Sequence, residues 1–140
     1  MNNQIPNFVL DSFALLAHFQ GEPGSQQVEC FLERAQRSEL YLYLSIINLG
    51  EIYYTASRNL DDTQAESMMS DIHQLPITIY DVSYDDVISA AKLKAKIPFS
   101  YADAFATSLA QVLNASVITG DPEFKNVENL IKIIWLPKNN

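Results

Sequence analysis

Short apolar runs alternate along this chain with longer segments of helical period. Phe8-Val9-Leu10-Asp11 reads as a strand, and Ser12 to Phe19 as a helix ending near Gly21. Gln26 to Arg37 reads as a second helix, because Val28, Phe31, Leu32 and Ala35 recur at helical spacing. Leu40 to Leu44 is the second predicted strand, and Ser45 is placed to cap a helix reaching about Arg58. A more polar helix from about Asp61 to Gln74 stops ahead of Pro76. Ile77 to Tyr80 is the third strand, Ser83 caps a helix to about Lys96, and Pro98 breaks the chain again. Ser100 then opens a helix to about Leu113, Ser116 to Thr119 is a fourth strand, and Ile131 to Leu136 a fifth.

Alternating β and α segments imply a parallel sheet with helices on both faces. Right-handed crossovers line up the strand-to-helix turns along one edge of such a sheet, and ligands bind outside the carboxyl ends of its strands. The 140 residues contain no repeat, no low-complexity tract and no obvious linker, so one domain is expected over 1–140. Its ordered core should run from about residue 7 to 136, with Met1–Pro6 and Pro137–Asn140 loose.

Composition narrows the function. Lys+Arg total 9 and Asp+Glu 17, giving 9 − 17 = −8 at pH 7. A protein that coats nucleic acid by charge alone is normally basic, so that class is disfavoured. What remains is a chain whose acids gather in one cleft, or one with a basic partner. No apolar run exceeds about five residues, far short of the roughly 20 of a spanning helix. The N-terminus lacks the basic and long apolar regions of a signal peptide, and Cys30 is the only cysteine. A cytoplasmic protein with no membrane partner, no disulfide framework and no CxxC site is expected. His18 and His73 are isolated and read as surface or packing residues, and no phosphate-binding glycine loop or nucleophile elbow is present.

Four acids fall at the ends of successive βα units. Asp11 closes the first strand, and Asp121 follows the fourth in Thr119-Gly120-Asp121-Pro122; each also stands where a helix cap would. Asp103 lies three residues after Ser100, as in a capping box, yet borders the apolar stripe of its helix instead of the solvent face. Glu51 is one turn into its helix, too far for a cap, beside a Gly50 that a close approach of backbone or ligand would explain. Either these are three caps and a surface glutamate, or they form one cluster for a divalent cation. Hard cations such as Mg²⁺ take oxygen ligands. Two carboxylates 4–5 Å apart repel by roughly 3–4 kcal/mol at an effective dielectric of about 20, so a metal-free cluster should show raised pKa values.

These residues resemble the PIN-domain ribonucleases and, within them, VapC-type toxins of type II toxin–antitoxin pairs. The resemblance rests on Val9-Leu10-Asp11-Ser12, Asn48-Leu49-Gly50-Glu51-Ile52, Tyr101-Ala102-Asp103-Ala104-Phe105-Ala106 and Val117-Ile118-Thr119-Gly120-Asp121-Pro122-Glu123-Phe124, in the family's order over nearly the whole chain. It implies an α/β fold of three layers, α/β/α, around a mostly parallel five-stranded sheet. It also implies a Mg²⁺- or Mn²⁺-dependent endoribonuclease that leaves a 5′-phosphate and a 3′-hydroxyl. Asp11, Glu51, Asp103 and Asp121 match the family's acidic quartet, and Ser12 and Thr119 its supporting hydroxyls; Glu51 or Asp121 is the expected holder of the attacking water. Glu123 reads as peripheral.

The implied partners are an RNA, tRNA or rRNA, and a cognate antitoxin that presents apolar anchors and an Arg or Lys to the acidic cleft. A homodimer is also implied. Candidate contacts to the RNA backbone are Arg58, Lys92, Lys96 and Lys125, with Lys94 in the same run, although lysines at a helix C-terminus also suit the macrodipole. Tyr41, Tyr43, Tyr53 and Tyr54 are candidates for the floor of a peptide groove. The alternative is a catalytically silent PIN-like binding module whose acids accept a basic peptide or RNA. A dehalogenase-type phosphatase ranks low, because Phe13 stands where its second Asp belongs, and a receiver domain fails because the chain carries no matching acid pair and downstream Lys for an Asp ending strand three.

Overall fold

A computed structural model describes residues 4–137. Five parallel strands, β1 (Asn7–Leu10), β2 (Tyr41–Ser45), β3 (Ile77–Tyr80), β4 (Ser116–Thr119) and β5 (Ile133–Trp135), form one sheet in the order β3-β2-β1-β4-β5. Six α-helices connect them: α1 (Ser12–Gln20), α2 (Ser25–Gln36), α3 (Ile46–Asn59), α4 (Asp62–Gln74), α5 (Tyr84–Lys96) and α6 (Tyr101–Leu113). A 3₁₀ segment, Pro122–Val127, follows β4. The expected loose ends fall in part on residues 1–3 and 138–140, outside the described residues.

The period of two along the strands makes the layers. Leu10, Leu42, Leu44 and Ile118 point to one face and are covered by α1 to α4 through Leu15, Leu32, Ile52, Met68 and Ile72. Val9 and Val117 point to the other, with Tyr43, and are covered by α5, α6 and the 3₁₀ segment through Ala90, Phe105, Leu109 and Phe124. This is the three-layer α/β/α arrangement. Truncating a fully buried residue such as Leu44 to Ala would cost about 2–5 kcal/mol.

Local chemistry sets the boundaries. Ser45, Asp61, Ser83 and Ser100 each cap the helix that follows, accepting from Ile47, Gln64, Asp86 and Asp103 N–H groups. Gly21 ends α1 at φ 62°, a left-handed turn that glycine adopts without a Cβ clash. The fifth strand is shorter than the expected Ile131–Leu136. Ile131 instead closes the turn after the 3₁₀ segment, its N–H donating to the Val127 carbonyl at 3.2 Å.

The strand order decides where a site can be. From β1 the chain moves outward through β2 and β3, whereas β4 returns to β1's other side and β5 continues that way. The direction reverses between β1 and β4, and their carboxyl ends border the crevice such sheets use for ligands.

Candidate active site

Asp11 and Asp121 stand on either side of that reversal, one after β1 and one after β4. Both are caps and both face the crevice, so the two readings of these residues do not compete. Asp11 Oδ1 accepts the Ala14 N–H at 2.9 Å, and Asp121 Oδ1 accepts the Glu123 N–H at 2.9 Å. Asp11 Oδ2 is bound by the Thr119 hydroxyl, whose oxygen in turn accepts the Asp121 N–H at 3.0 Å. Thr119 therefore ties the two strand ends together. Gly120 between them packs against Phe13: a Cβ there would lie 2.3 Å from the ring. Around Gly50 no protein atom outside its own helix backbone lies within 4 Å of a Cβ position, so a close approach of backbone does not explain that glycine.

Asp103 enters from α6. Ser100 accepts its N–H at 3.1 Å, as a capping box requires, but the reciprocal bond is absent. The Ser100 N–H donates instead to Glu123 Oε2 at 3.1 Å. Asp103's carboxylate is thereby left to the crevice, where it is buried and its Oδ2 has no hydrogen-bond partner. Carboxylate oxygens of Asp103, Asp121 and Glu123 lie within 4.8 Å of one another. Glu123, expected to be peripheral, is thus part of the cluster. Its signal in the sequence was its place two residues beyond Asp121, where the 3₁₀ turn folds it back.

Glu51 is outside that trio. It sits half-buried on α3 and accepts a hydrogen bond from the Ser12 hydroxyl at the start of α1. Asn48, one turn earlier and fully buried, donates from Nδ2 to the Ala102 carbonyl at 3.3 Å. It joins α3 to the turn that carries Asp103, a link the sequence pattern did not single out.

The electrostatics are those of a cluster short of positive charge. Burial pushes the Asp11 pKa from 3.8 up to about 7, and Asp121 and Glu51 push it the same way; the Thr119 hydroxyl and Ala14 N–H oppose. Burial likewise raises Asp103 to about 8, with the neighbouring Glu123 carboxyl and the charges of Asp121 and Asp11 adding to it. All-oxygen donors, a buried unpartnered carboxylate oxygen and raised carboxyl pKa values together fit a hard divalent cation.

The expected cations are exposed, on several elements. Arg58 lies two turns beyond Glu51 on α3, its guanidinium 5.0 Å from the Tyr54 ring centroid. Lys92, Lys94 and Lys96 are on α5, and Lys125 is on the 3₁₀ segment. The loop after Lys96 is tied to that segment, because Asn126 Nδ2 donates to the Pro98 carbonyl at 3.0 Å. The four tyrosines do not share one groove. Tyr41 lines a cavity of about 1050 Å³ at the opposite, amino-terminal edge of the sheet, and Tyr43 packs under α6's layer. Tyr53 donates to Glu66 at 2.8 Å, and Tyr54 carries Arg58. The reason is strand polarity: a residue opening β2 cannot reach the end where β2 closes.

No described helix is long and apolar enough to cross a membrane. Comparison with known proteins places this geometry in context. The PIN domain family model matches residues 8–130. Among solved structures, the chain is similar to VapBC2 from Rickettsia felis bound to a promoter DNA fragment, with 20% identity, 94% of this chain and 99% of that one covered, and a TM-score of 0.73. It is similar to Mycobacterium tuberculosis VapC20, a sarcin-ricin loop cleaving toxin, at 16% identity over 94% and 99% with a TM-score of 0.70. DNA-bound VapBC from Salmonella typhimurium gives 18% identity over 92% and 97%, also with a TM-score of 0.70. At these identities the likeness is one of fold. No curated protein matches the chain significantly.

Proposed function

Because the chain belongs to the PIN-domain family, we propose that it is a divalent-metal-dependent endoribonuclease, and the VapC-type toxin of a toxin–antitoxin pair. The observation that carries the reading is the Asp103–Asp121–Glu123 cluster, with Asp103 Oδ2 buried and unpartnered, across the β1/β4 reversal from Asp11. Asp11, Asp103, Asp121 and Glu123 would hold Mg²⁺ or Mn²⁺, with Glu51 at the margin. A bound cation of this kind neutralises phosphate charge and acidifies a water.

The chain's own groups do the rest. Thr119 fixes the Asp11 carboxylate against β4, and Ser12 fixes Glu51, so that neither acid has to be ordered when RNA arrives. Glu51 or Asp121 holds the attacking water. The water oxygen bonds to phosphorus, the bond to the 3′ oxygen breaks, and the products are a 5′-phosphate and a 3′-hydroxyl. The 2′-hydroxyl takes no part. Arg58, Lys92, Lys96 and Lys125 steer the RNA backbone toward the acids, which a net charge of −8 otherwise repels.

The cognate antitoxin is the second partner. An Arg from it pairs bidentately with the clustered carboxylates and excludes the metal. The solved relatives from Rickettsia and Salmonella are VapBC complexes, which supports a partner of this kind.

The test is cleavage of a mixed tRNA and rRNA pool by antitoxin-free protein with Mn²⁺, with Mg²⁺ and with EDTA, alongside Asp11→Asn. Metal-dependent cutting lost in the variant is the expected result. Folded, metal-loaded protein that cuts no RNA would leave a binding module.

A further inference from the structure

Two side-chain oxygens among the described residues are buried with no hydrogen-bond partner, Asp103 Oδ2 and Asn48 Oδ1. One hydrogen bond joins the segments that carry them. Asn48 is fully buried and its Nδ2 donates to the Ala102 carbonyl, the peptide next to Asp103, while Glu51 stands one turn further along Asn48's own helix.

The orientation of this amide is fixed by chemistry. The Ala102 carbonyl only accepts, so the NH₂ of Asn48 must face it and the carbonyl oxygen must face away. Nor does the bond rescue a stranded carbonyl. Ala102 lies inside α6, where the helix ladder supplies its oxygen with a partner, so the Asn48 bond is an additional one that orients. Position 48 is flanked by Ile47, Leu49 and Ile52, and a leucine there would pack without desolvating any polar group. A buried amide whose described bond crosses from α3 to α6 is explained by what that bond holds in place. What it holds is the turn of α6 that carries Asp103.

We propose that Asn48 is a positioning residue of the acid cleft. Its amide holds the first turn of α6, and with it Asp103, against α3. The inference rests on the site proposed above, but concerns a residue outside the acidic cluster. The effect runs through Asp103: with α6 released at this turn, the Asp103 carboxylate loses its fixed aim.

The experiment uses the full chain labelled with ¹⁵N and titrated with MgCl₂. The side-chain amide pair of Asn48, assigned in a ¹³C,¹⁵N-labelled sample of the unaltered protein through its own Cβ, is followed together with the Asp103 backbone amide. Both should shift over the same Mg²⁺ range. Asn48→Ser and Asn48→Thr should weaken Mn²⁺ binding in calorimetry about tenfold, as the loss of a supporting partner around a metal site does. Both should lower kcat on RNA while KM stays near that of the unaltered protein. An Asn48 amide pair that does not respond to Mg²⁺ overturns the proposal. So do folded variants with unchanged Mn²⁺ affinity and kcat, whatever their loss of thermal stability. If neither variant folds, the titration of the unaltered protein decides alone. Coincident shifts in a protein that cuts no RNA would support the positioning role and overturn the nuclease reading.

Discussion

Two successive helices of this protein open on the same pattern, Ser-Tyr-x-Asp, and use it differently. Ser83-Tyr84-Asp85-Asp86 opens α5 as a closed capping box: Asp86 N–H donates to the Ser83 hydroxyl at 3.2 Å, and Ser83 N–H to the Asp86 carboxylate at 2.9 Å. Ser100-Tyr101-Ala102-Asp103 opens α6 as half a box, because Glu123, 23 residues away, takes the Ser100 N–H. The Asp86 carboxylate serves its own helix. That of Asp103 is released from this duty and is buried in the crevice with one oxygen unpartnered. What separates an acid bound to its own cap from one left to the crevice here is a third carboxylate brought by another element, not the tetrapeptide itself.

Neutralising the two acids should separate them furthest. Asp103→Asn is expected to reduce Mn²⁺-dependent RNA cleavage by more than about a hundred-fold, since even partners behind a metal ligand are worth roughly 10–100-fold. Asp86→Asn should leave cleavage unchanged, and initial rates on one RNA measure both. The pH dependence of stability comes next. In EDTA, Asp11 and Asp103 bind protons in the folded state up to about pH 7 and 8, while the unfolded chain releases them near 3.8. Folded pKa values above the unfolded ones give stability that is complete below about pH 4 and lost as pH rises to about 8, on the order of a few kcal/mol. Urea midpoints between pH 4 and 8 should therefore fall, the slope should flatten in Asp103→Asn, and Asp86→Asn should retain it.

Glu123→Gln tests the intruding residue itself. Glutamine still offers an oxygen to the Ser100 N–H but removes one charge from the trio, so the metal-free protein should gain stability at neutral pH. Mn²⁺ affinity should fall about tenfold in calorimetry. The smallest effect is at the caps. Ser83→Ala and Ser100→Ala should each cost about 1 kcal/mol in thermal or urea unfolding. Only the second should also weaken Mn²⁺ binding, because only its helix carries an acid into the crevice.

Much of the fold was legible in the chain. Strands β3 and β4 and the caps Ser45, Ser83 and Ser100 lie where periodicity and capping preference put them. The α/β alternation implied the parallel sheet with helices on both faces. At the site, the positions of Asp11, Glu51, Asp103 and Asp121 at strand ends and first turns were legible for the same reason. Their company was not. Glu123 read as peripheral, because nothing local says that a 3₁₀ turn will fold it back onto α6. Gly50 read as a point where backbone or ligand comes close, and no backbone does, whereas Phe13 is pressed on Gly120. Four tyrosines read as candidates for one floor, and strand direction removes Tyr41 from it.

The sequence by itself determined what depends on neighbours within a few positions: where the chain turns, which residues start each helix, which side of each strand is apolar. These follow from backbone sterics, from caps that reach two or three residues, and from periods of 2 and 3.6. The tertiary structure decided the contacts between residues far apart in the chain, Thr119 with Asp11 at 108 positions, Asn48 with Ala102 at 54, Ser12 with Glu51 at 39. Only burial between packed layers brings such groups together, and only there does the loss of water raise a carboxyl pKa from 3.8 to about 7 or 8.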